Sequence, residues 1–326
     1  MRRVLTYPAF LALLLTVTFA GCRQELLPEI GDAISFSFSY PTLAAGTKAD
    51  LTDESNIGTI LLYGSKLSAG ATEKVSFFGP DGSSPSTTLE KSGEAWNYDP
   101  LKYWEQGASY DFRAIHPSSA VVTTGSYSGE IVVSGFSIGS GYDLMVASQT
   151  GVESATQAGT AVPLEFKHAC GAVRFLFKDG NEDYYIKSFE LQGLTTSGTM
   201  TYNSTNSLPT WGSTSTATYA WPGTTPWEVP EDYDDGTGLE GWYFIIPQDL
   251  TDAAELRFVY TVGASGTQEI PVTVPLKGGV GVNTSGVTSW ARANAYTYKI
   301  SIRPDYISLS VGFDAWEDGA EWSLTD

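Results

Sequence analysis

Three groups of residues have types and spacings that could do chemistry. Gly135-Phe136-Ser137-Ile138-Gly139 matches G-x-S-x-G, the nucleophile elbow of serine hydrolases. That elbow works where a strand turns sharply into a helix above a parallel sheet, with a histidine placed to take the serine proton. Here Ser140-Gly141-Tyr142 and a strand-like run follow, without a helix signal, and the sole downstream histidine, His168, lies in a strand pattern. Loop glycine and serine are the better account of the match. His116 beside Pro117, and His168, read as hydrogen-bonded structural residues. With two cysteines, Cys22 and Cys170, the chain has too few nitrogen and sulfur donors for a zinc site. The run Glu231-Asp232-Tyr233-Asp234-Asp235-Gly236 offers oxygens to calcium, but Tyr233 falls where the EF-hand needs a ligand and Trp242 where it needs the closing Glu. A solvated loop fits better. The residues therefore define no catalytic constellation, no metal site and no cofactor site, and an enzyme is not expected.

The elements that would hold any site are strands. Hydrophobic residues make up 42% of the 326 and aromatics 13%, enough for packed cores, and the length suits two domains. Charged residues are only 17%, and Gly, Ser and Thr take the polar positions, as in proteins of many short strands joined by turns. The net charge of -19 argues against nucleic acid or an anionic membrane surface as a partner, since phosphate binding needs clustered Lys and Arg.

The first residues are an export signal. Arg2 and Arg3 precede an apolar run over residues 4–19, and Ala20-Gly21 stand directly before Cys22. Small residues before a Cys look like a lipobox, which would make Cys22 the lipidated mature N-terminus. The alternative is an ordinary secretory peptide with an incidental cysteine. With Cys22 lipidated, Cys170 has no disulfide partner and reads as a small core residue.

Residues 162–178 carry the longest strand signal. Leu164, Phe166, His168 and Cys170 alternate with polar or small residues, and the apolar phase then flips to Val173, Phe175 and Phe177. A one-residue slip moves every side chain to the other face, so a bulge or kink is expected at Gly171. The stretch reads as the opening strand of a second β-domain. Further strands are expected near 57–63, 73–78, 95–98, 109–117, 129–133, 142–147, 184–191, 198–202, 241–246, 254–262, 268–274, 295–302 and 306–313, with an inter-domain linker at 151–161. Turn signals recur at roughly the 8–12-residue spacing of sandwiches, and amphipathic helices are absent. The expected fold is all-β: two tandem, mostly antiparallel β-sandwiches.

Two strands match each other. Ile34, Phe36, Phe38 and Tyr40 alternate with serines near the start, and Ile307, Leu309, Val311 and Phe313 alternate with Ser308, Ser310 and Gly312 near the end. Between the first of these and the first domain lies a small, flexible segment, residues 44–50, with one basic residue, Lys48, a natural place for a protease to cut. If it is cut, the first strand can leave, and a strand from a neighbouring molecule can fill the vacated slot. Burial of four such side chains is worth roughly 6–10 kcal/mol before ordering costs. The competing reading, two ordinary edge strands of one monomer, stands level with it on these residues alone.

Taken together the pattern resembles the fimbrillin family, the lipoprotein pilins and accessory subunits of type V pili. The carrying features are the lipobox at Cys22, the alternating strand 34–40, Gly46-Thr47-Lys48-Ala49, Tyr110-Asp111-Phe112-Arg113-Ala114 before His116-Pro117, and Tyr142-Asp143-Leu144-Met145. Residues 162–177 and the run from Tyr298-Lys299-Ile300 to Trp316-Glu317-Asp318-Gly319 complete it. The resemblance implies transthyretin-like sandwiches at 49–158 and 159–326, after a signal peptide (1–21) and a tether with a removable strand (22–48). It implies lipidation at Cys22, anchoring to the outer membrane, and cleavage of the Lys48–Ala49 bond by a protease with Lys or Arg preference. It further implies polymerisation with other pilus subunits by donor-strand exchange, with Ile307, Leu309, Val311 and Phe313 as the donor. A tip or accessory role and a host or bacterial surface ligand stay within its scope. The rival from another class is a surface glycan-binding lipoprotein, whose exposed Trp and Tyr would stack on sugar rings.

Overall fold

The structure, a computed structural model, describes residues 31–40, 57–79, 86–93, 95–120, 122–125, 130–179, 183–203, 208–220, 226–233, 241–278, 287–304 and 306–315, with backbone alone at 122–125 and 312–315. Its strands begin with β1 (Phe36–Ser39), β2 (Thr59–Leu67), β3 (Val75–Phe78), β4 (Thr87–Ser92), β5 (Ala95–Asn97), β6 (Ser109–His116) and β7 (Val122–Gly125). Then come β8 (Glu130–Ser137), β9 (Met145–Glu153), β10 (Val162–Glu165), β11 (Lys167–His168), β12 (Gly171–Lys178), β13 (Tyr184–Asn203) and β14 (Thr210–Ala220). The last are β15 (Trp227–Glu228), β16 (Tyr243–Ile245), β17 (Gln248–Asp249), β18 (Glu255–Val262), β19 (Ile270–Pro275), β20 (Ser289–Trp290), β21 (Asn294–Ile302) and β22 (Ile307–Ala315). Helix among the described residues amounts to short turns such as Ser154–Gln157, so the fold is all-β.

Four sheets matter for function. One runs β11-β9-β6-β2-β4-β5, with β3 also on β2; a second runs β16-β12-β21-β22. A third is built on β13, flanked by β18 and β8 along one edge and by β14 and β15 along the other. The fourth is a two-stranded parallel ribbon of β1 and β10. Most pairings are antiparallel; β12 with β21 is also parallel.

Three clusters of buried side chains lie between these sheets. One gathers Phe36, Phe78, Phe112 and Phe166 around β1. Another gathers Phe175, Phe177, Leu256, Tyr298 and Ile300 between the β12–β21 and β13–β18 sheets. The third, with Tyr63, Ile115, Phe136, Cys170, Tyr202 and Phe244, draws side chains from both halves of the chain and seals the seam.

The stretch 162–178 is three strands rather than one bent strand. Its first half, β10 and β11, pairs with β1 and β9, whereas β12 pairs with β16 and β21. The apolar phase changes across Gly171, with Leu164 and Phe166 in the β1 core and Val173, Phe175 and Phe177 in the other, and at Gly171 itself a Cβ would stand 2.6 Å from the carbonyl oxygen of Ala291. Two expected strands, 184–191 and 198–202, are one continuous β13. At its middle Gly193 takes φ +68 and passes so close to Ala253 that no side chain fits. Residues 151–161 are not a free linker, because Gly151 to Glu153 finish β9 against β6 and Ser154–Gln157 make a helical turn.

Candidate functional site

The chemical candidates resolve into structure. Ser137 ends β8 and leads into a 3-10 turn, Ile138–Ser140, with its hydroxyl 3.4 Å from that of Ser140. That is a turn closed by serines, and no helix follows it. His168 is fully buried and its Nδ1 lies 2.6 Å from Asp143 Oδ2, which is also fully buried. Arg292 donates to the His168 carbonyl at 2.8 Å, so the seam core is pinned by a polar node. Asp143 is the partner the sequence reading missed; its place four residues before the buried Ala147 in β9 gave no periodic signal. His116 is held by burial below the usual histidine range despite a hydrogen bond to Thr59 and the charge of Asp143. Burial pushes the Cys170 thiol well up, which keeps it protonated and unreactive. Among the described residues no cluster of His, Cys, Asp or Glu could hold a metal ion. Asp234, Asp235 and Gly236 of the acidic run, and Cys22, Lys48 and Ala49, lie outside the described residues.

What stands out is the trough under β1. Alternation puts Ile34 and Phe36 inward, 1% and 6% exposed, while Ser35, Ser37 and Ser39 face solvent. The trough is aromatic because β3, β5, β6 and the chain around Tyr98 each contribute a ring. Phe36 meets Phe78, Tyr98 and Phe112 at centroid distances of 5.6, 6.1 and 5.2 Å. Phe38 meets Trp96 at 4.9 Å, edge to face. Tyr40 stacks on Phe166 of the β10–β11 link at 5.3 Å. Phe38 and Tyr40 are half-buried, so the trough deepens toward Ile34.

The backbone of the strand is held more thinly. On one side Val162 and Phe166 donate to the Ser35 and Ser39 carbonyls at 2.8 and 2.9 Å. On the other, Ile34 donates to the Lys102 carbonyl and Trp104 to that of Asp32, at 2.8 and 3.4 Å, and the Tyr98 hydroxyl caps the Ile34 carbonyl at 2.7 Å. The floor is braced from behind by Asp111 on β6, which accepts from Lys74 and, at 2.9 Å, from the Gly151 amide.

The matching strand near the end lies on the second sheet. β22 pairs with β21 along its whole length, from Asn294↔Ala315 to Ile302↔Ile307. Leu309 and Val311 are buried in the Phe175 core and Ile307 packs half-buried against it, whereas Ser310 is exposed. The Phe313 side chain is outside the described residues. The structure does not bring β1 and β22 together; they serve different cores.

The fimbrillin-like family model matches residues 46–314, and the chain belongs to that family. It is thus a fimbrial or adhesion protein of the cell surface, a structural protein rather than an enzyme, that associates with other pilus subunits. Its fold is similar to a candidate cell adhesion protein of Bacteroides uniformis, at 16% identity and TM-score 0.56, over 88% of this chain and 99% of that one. It is also similar to one of Bacteroides ovatus, at 13% identity and TM-score 0.52, over 89% and 99%. No curated protein matches the chain.

Proposed function

We propose that the chain is a type V pilus subunit assembled by donor-strand exchange. In this reading it is exported as a lipoprotein carried by Cys22 in the outer membrane, and cut at the Lys48–Ala49 bond by a protease that prefers Lys or Arg. β1 then leaves with the tether, and the apolar strand of another subunit takes its place. The single observation that supports this is the burial of Ile34 and Phe36 in an aromatic trough by a strand with only a four-residue ladder. Burial of the two side chains stabilises by about 1.5–3 kcal/mol each, so an empty trough attracts any strand of like spacing. The donor in this reading is β22, with Ile307, Leu309, Val311 and Phe313 repeating the spacing of Ile34, Phe36, Phe38 and Tyr40. In this reading the sandwiches at 49–158 and 159–326 share strands across their boundary: β8 joins β13, and β10 joins the removable β1. A place at the tip, where no further subunit needs a donor, is compatible with the same trough.

The test is proteolysis of the purified chain with a Lys-specific protease, followed by electron microscopy and by gels after mild heating in detergent. The expected outcome is a ladder of heat-resistant polymers that Phe36-like peptides suppress. Cut chains that stay monomeric and gain affinity for a polysaccharide would instead identify a glycan-binding surface protein.

A further inference from the structure

Apolar spacing alone leaves a strand in the trough free to slip by two residues, because such a shift keeps every side chain on its face. The alternating apolar residues of β1 and of β22 would each fit more than one setting. The groups that can choose between settings lie at the end of the trough around Ile34. Val162 and Phe166 bond the Ser35 and Ser39 carbonyls on the β10 side. Backbone groups alternate in direction along a strand, so the N–H and C=O of Ile34, Phe36 and Phe38 point to the opposite edge. Among the described residues no strand pairs with that edge. The segment 98–104 meets it at its start, through the bridge Ala33↔Tyr103.

Both backbone groups of Ile34 are engaged there. Its N–H donates to the Lys102 carbonyl at 2.8 Å. A regular antiparallel pair would return the second bond directly from the Lys102 N–H. Instead the Tyr98 hydroxyl stands between the two, accepting from the Lys102 N–H at 3.4 Å and donating to the Ile34 carbonyl at 2.7 Å. The Tyr98 ring lies 6.1 Å from that of Phe36 and 5.2 Å from that of Phe78. One side chain thus touches the carbonyl of one strand residue and the side chain two residues further on. Both contacts hold together in a single setting of the strand. Trp104 fixes the far end of the segment, 7% exposed and edge-on to Tyr110 at 4.9 Å. Because 98–104 follows Lys48 in the chain, cleavage at Lys48 would leave it with the trough.

We propose that Tyr98, with the Lys102 carbonyl, sets the register of the strand that fills the trough. The residue at this end must be apolar with a free N–H and a free C=O, which excludes proline, and the residue two further on must be large and apolar. β1 meets the rule with Ile34 and Phe36. For a strand from another subunit, which rests on the donor-strand reading, the rule places Ile307 of β22 at the Ile34 position. That setting alone fills all four positions with large apolar residues, since a slip by two brings in Asp305 or Ala315.

Native-state hydrogen exchange on the uncleaved chain tests the role of Tyr98 apart from any donor. The Val162 amide, bonded to Ser35, reports opening of β1, and the Ile300 amide in β21 reports the rest of the fold. Tyr98→Phe keeps the ring and removes the hydroxyl. Exchange should rise about tenfold at Val162 and stay within about twofold at Ile300. Ile34→Pro should speed Val162 at least about tenfold beyond Ile34→Ala, because it deletes the N–H as well. Phe38→Pro should match Phe38→Ala within about twofold, since the Phe38 N–H faces the unpaired edge. An equal rise at Ile300 with Tyr98→Phe would make the hydroxyl a general structural bond and overturn the proposal. No rise at Val162, or no Pro–Ala difference at position 34, would overturn it too. In a second arm, a peptide of residues 306–314 competes with polymerisation of the cut chain. N-methylation at Ile307 should weaken competition at least about tenfold, and at Leu309 no more than about twofold. The reverse order overturns the register assigned to β22. Cut wild-type chains that form no polymer sink the donor-strand reading alone, and the exchange rates still decide the role of Tyr98.

Discussion

β1 and β22 carry the same alternation of bulky and small residues, and the protein holds them by different means. β1 has a parallel ladder of four residues and is held mainly by its side chains, with Phe36 alone touching Phe78, Tyr98 and Phe112. β22 has an antiparallel ladder of nine residues and is the second arm of a hairpin with β21. Its Leu309 and Val311 are buried, without the ring-on-ring packing that surrounds Phe36. A strand held by side chains in a trough can be replaced by any chain that offers the same spacing. A strand held by its ladder leaves only by unzipping, and its place must be refilled by backbone. The two sites are thus a socket and a seam, and a donor role for β22 requires the seam to open before the socket can be filled.

Substitutions at the two buried positions break or sharpen that contrast most strongly. Phe36→Ala in the uncleaved chain should cost about 3–5 kcal/mol, because the rings around it cannot all collapse into the space. Leu309→Ala should cost about 2–3 kcal/mol, at the low end for a buried leucine, since an edge strand relaxes more readily. Urea unfolding of both variants, followed by tryptophan fluorescence, gives the two numbers. Equal costs, or a larger one for Leu309, would dissolve the distinction between socket and seam.

Acid probes the trough floor. Burial pushes the Asp111 carboxyl up, but the hydrogen bonds from Lys74 and the Gly151 amide, with the charges of Lys74 and Arg113, outweigh it and leave its pKa below the usual 3.8. A carboxylate held low in the folded protein contributes stability that is fully present above its unfolded value and lost as pH falls through the folded one. The contribution is modest, because Lys74 is 42% exposed and well solvated. Between pH 5 and pH about 3, amides of β1 and β10 should therefore lose hydrogen-exchange protection sooner than those of β21 and β22. Asp111→Asn should remove that difference; a difference that persists in the variant would trace it to other carboxylates.

How far the sequence discloses this arrangement depends on where the information is local. The greasy and serine faces of β1 are legible because period two needs only seven neighbouring residues, Ile34 to Tyr40. Its parallel partner, residues 162–165, is not legible, because nothing in either run specifies the other; the two strands meet over one shared core that holds the aromatic rings of β3 and β6. β14 is hidden for a different reason. Ser and Thr fill both of its faces, so no apolar alternation marks it, although Trp211 and Tyr219 hint at its anchored ends. The long β13 reads as two strands because Gly193, needed for close approach to Ala253, looks like a turn residue. The Asp143–His168 node shows only in three dimensions, where a buried acid and a buried imidazole 25 positions apart satisfy each other.

The weakest substitutions discriminate most finely. Ser37 and Ser310 are exposed, on the small-residue faces of β1 and β22. Lysine at either position should change stability by no more than about 0.5 kcal/mol, as for surface sites away from caps, cores and ion pairs. In a donor-strand polymer β22 would bury its Leu309 face in the trough and keep Ser310 outward, as β1 keeps Ser37 outward. Ser310→Lys should therefore polymerise after proteolysis at the wild-type rate, and Ser37→Lys should too, since β1 has left. A stable, folded Ser310→Lys chain that no longer polymerises would mean that the small-residue face of β22 enters the contact. The two strands would then share a spacing without sharing a mode of insertion, and the donor would have to be sought in another strand.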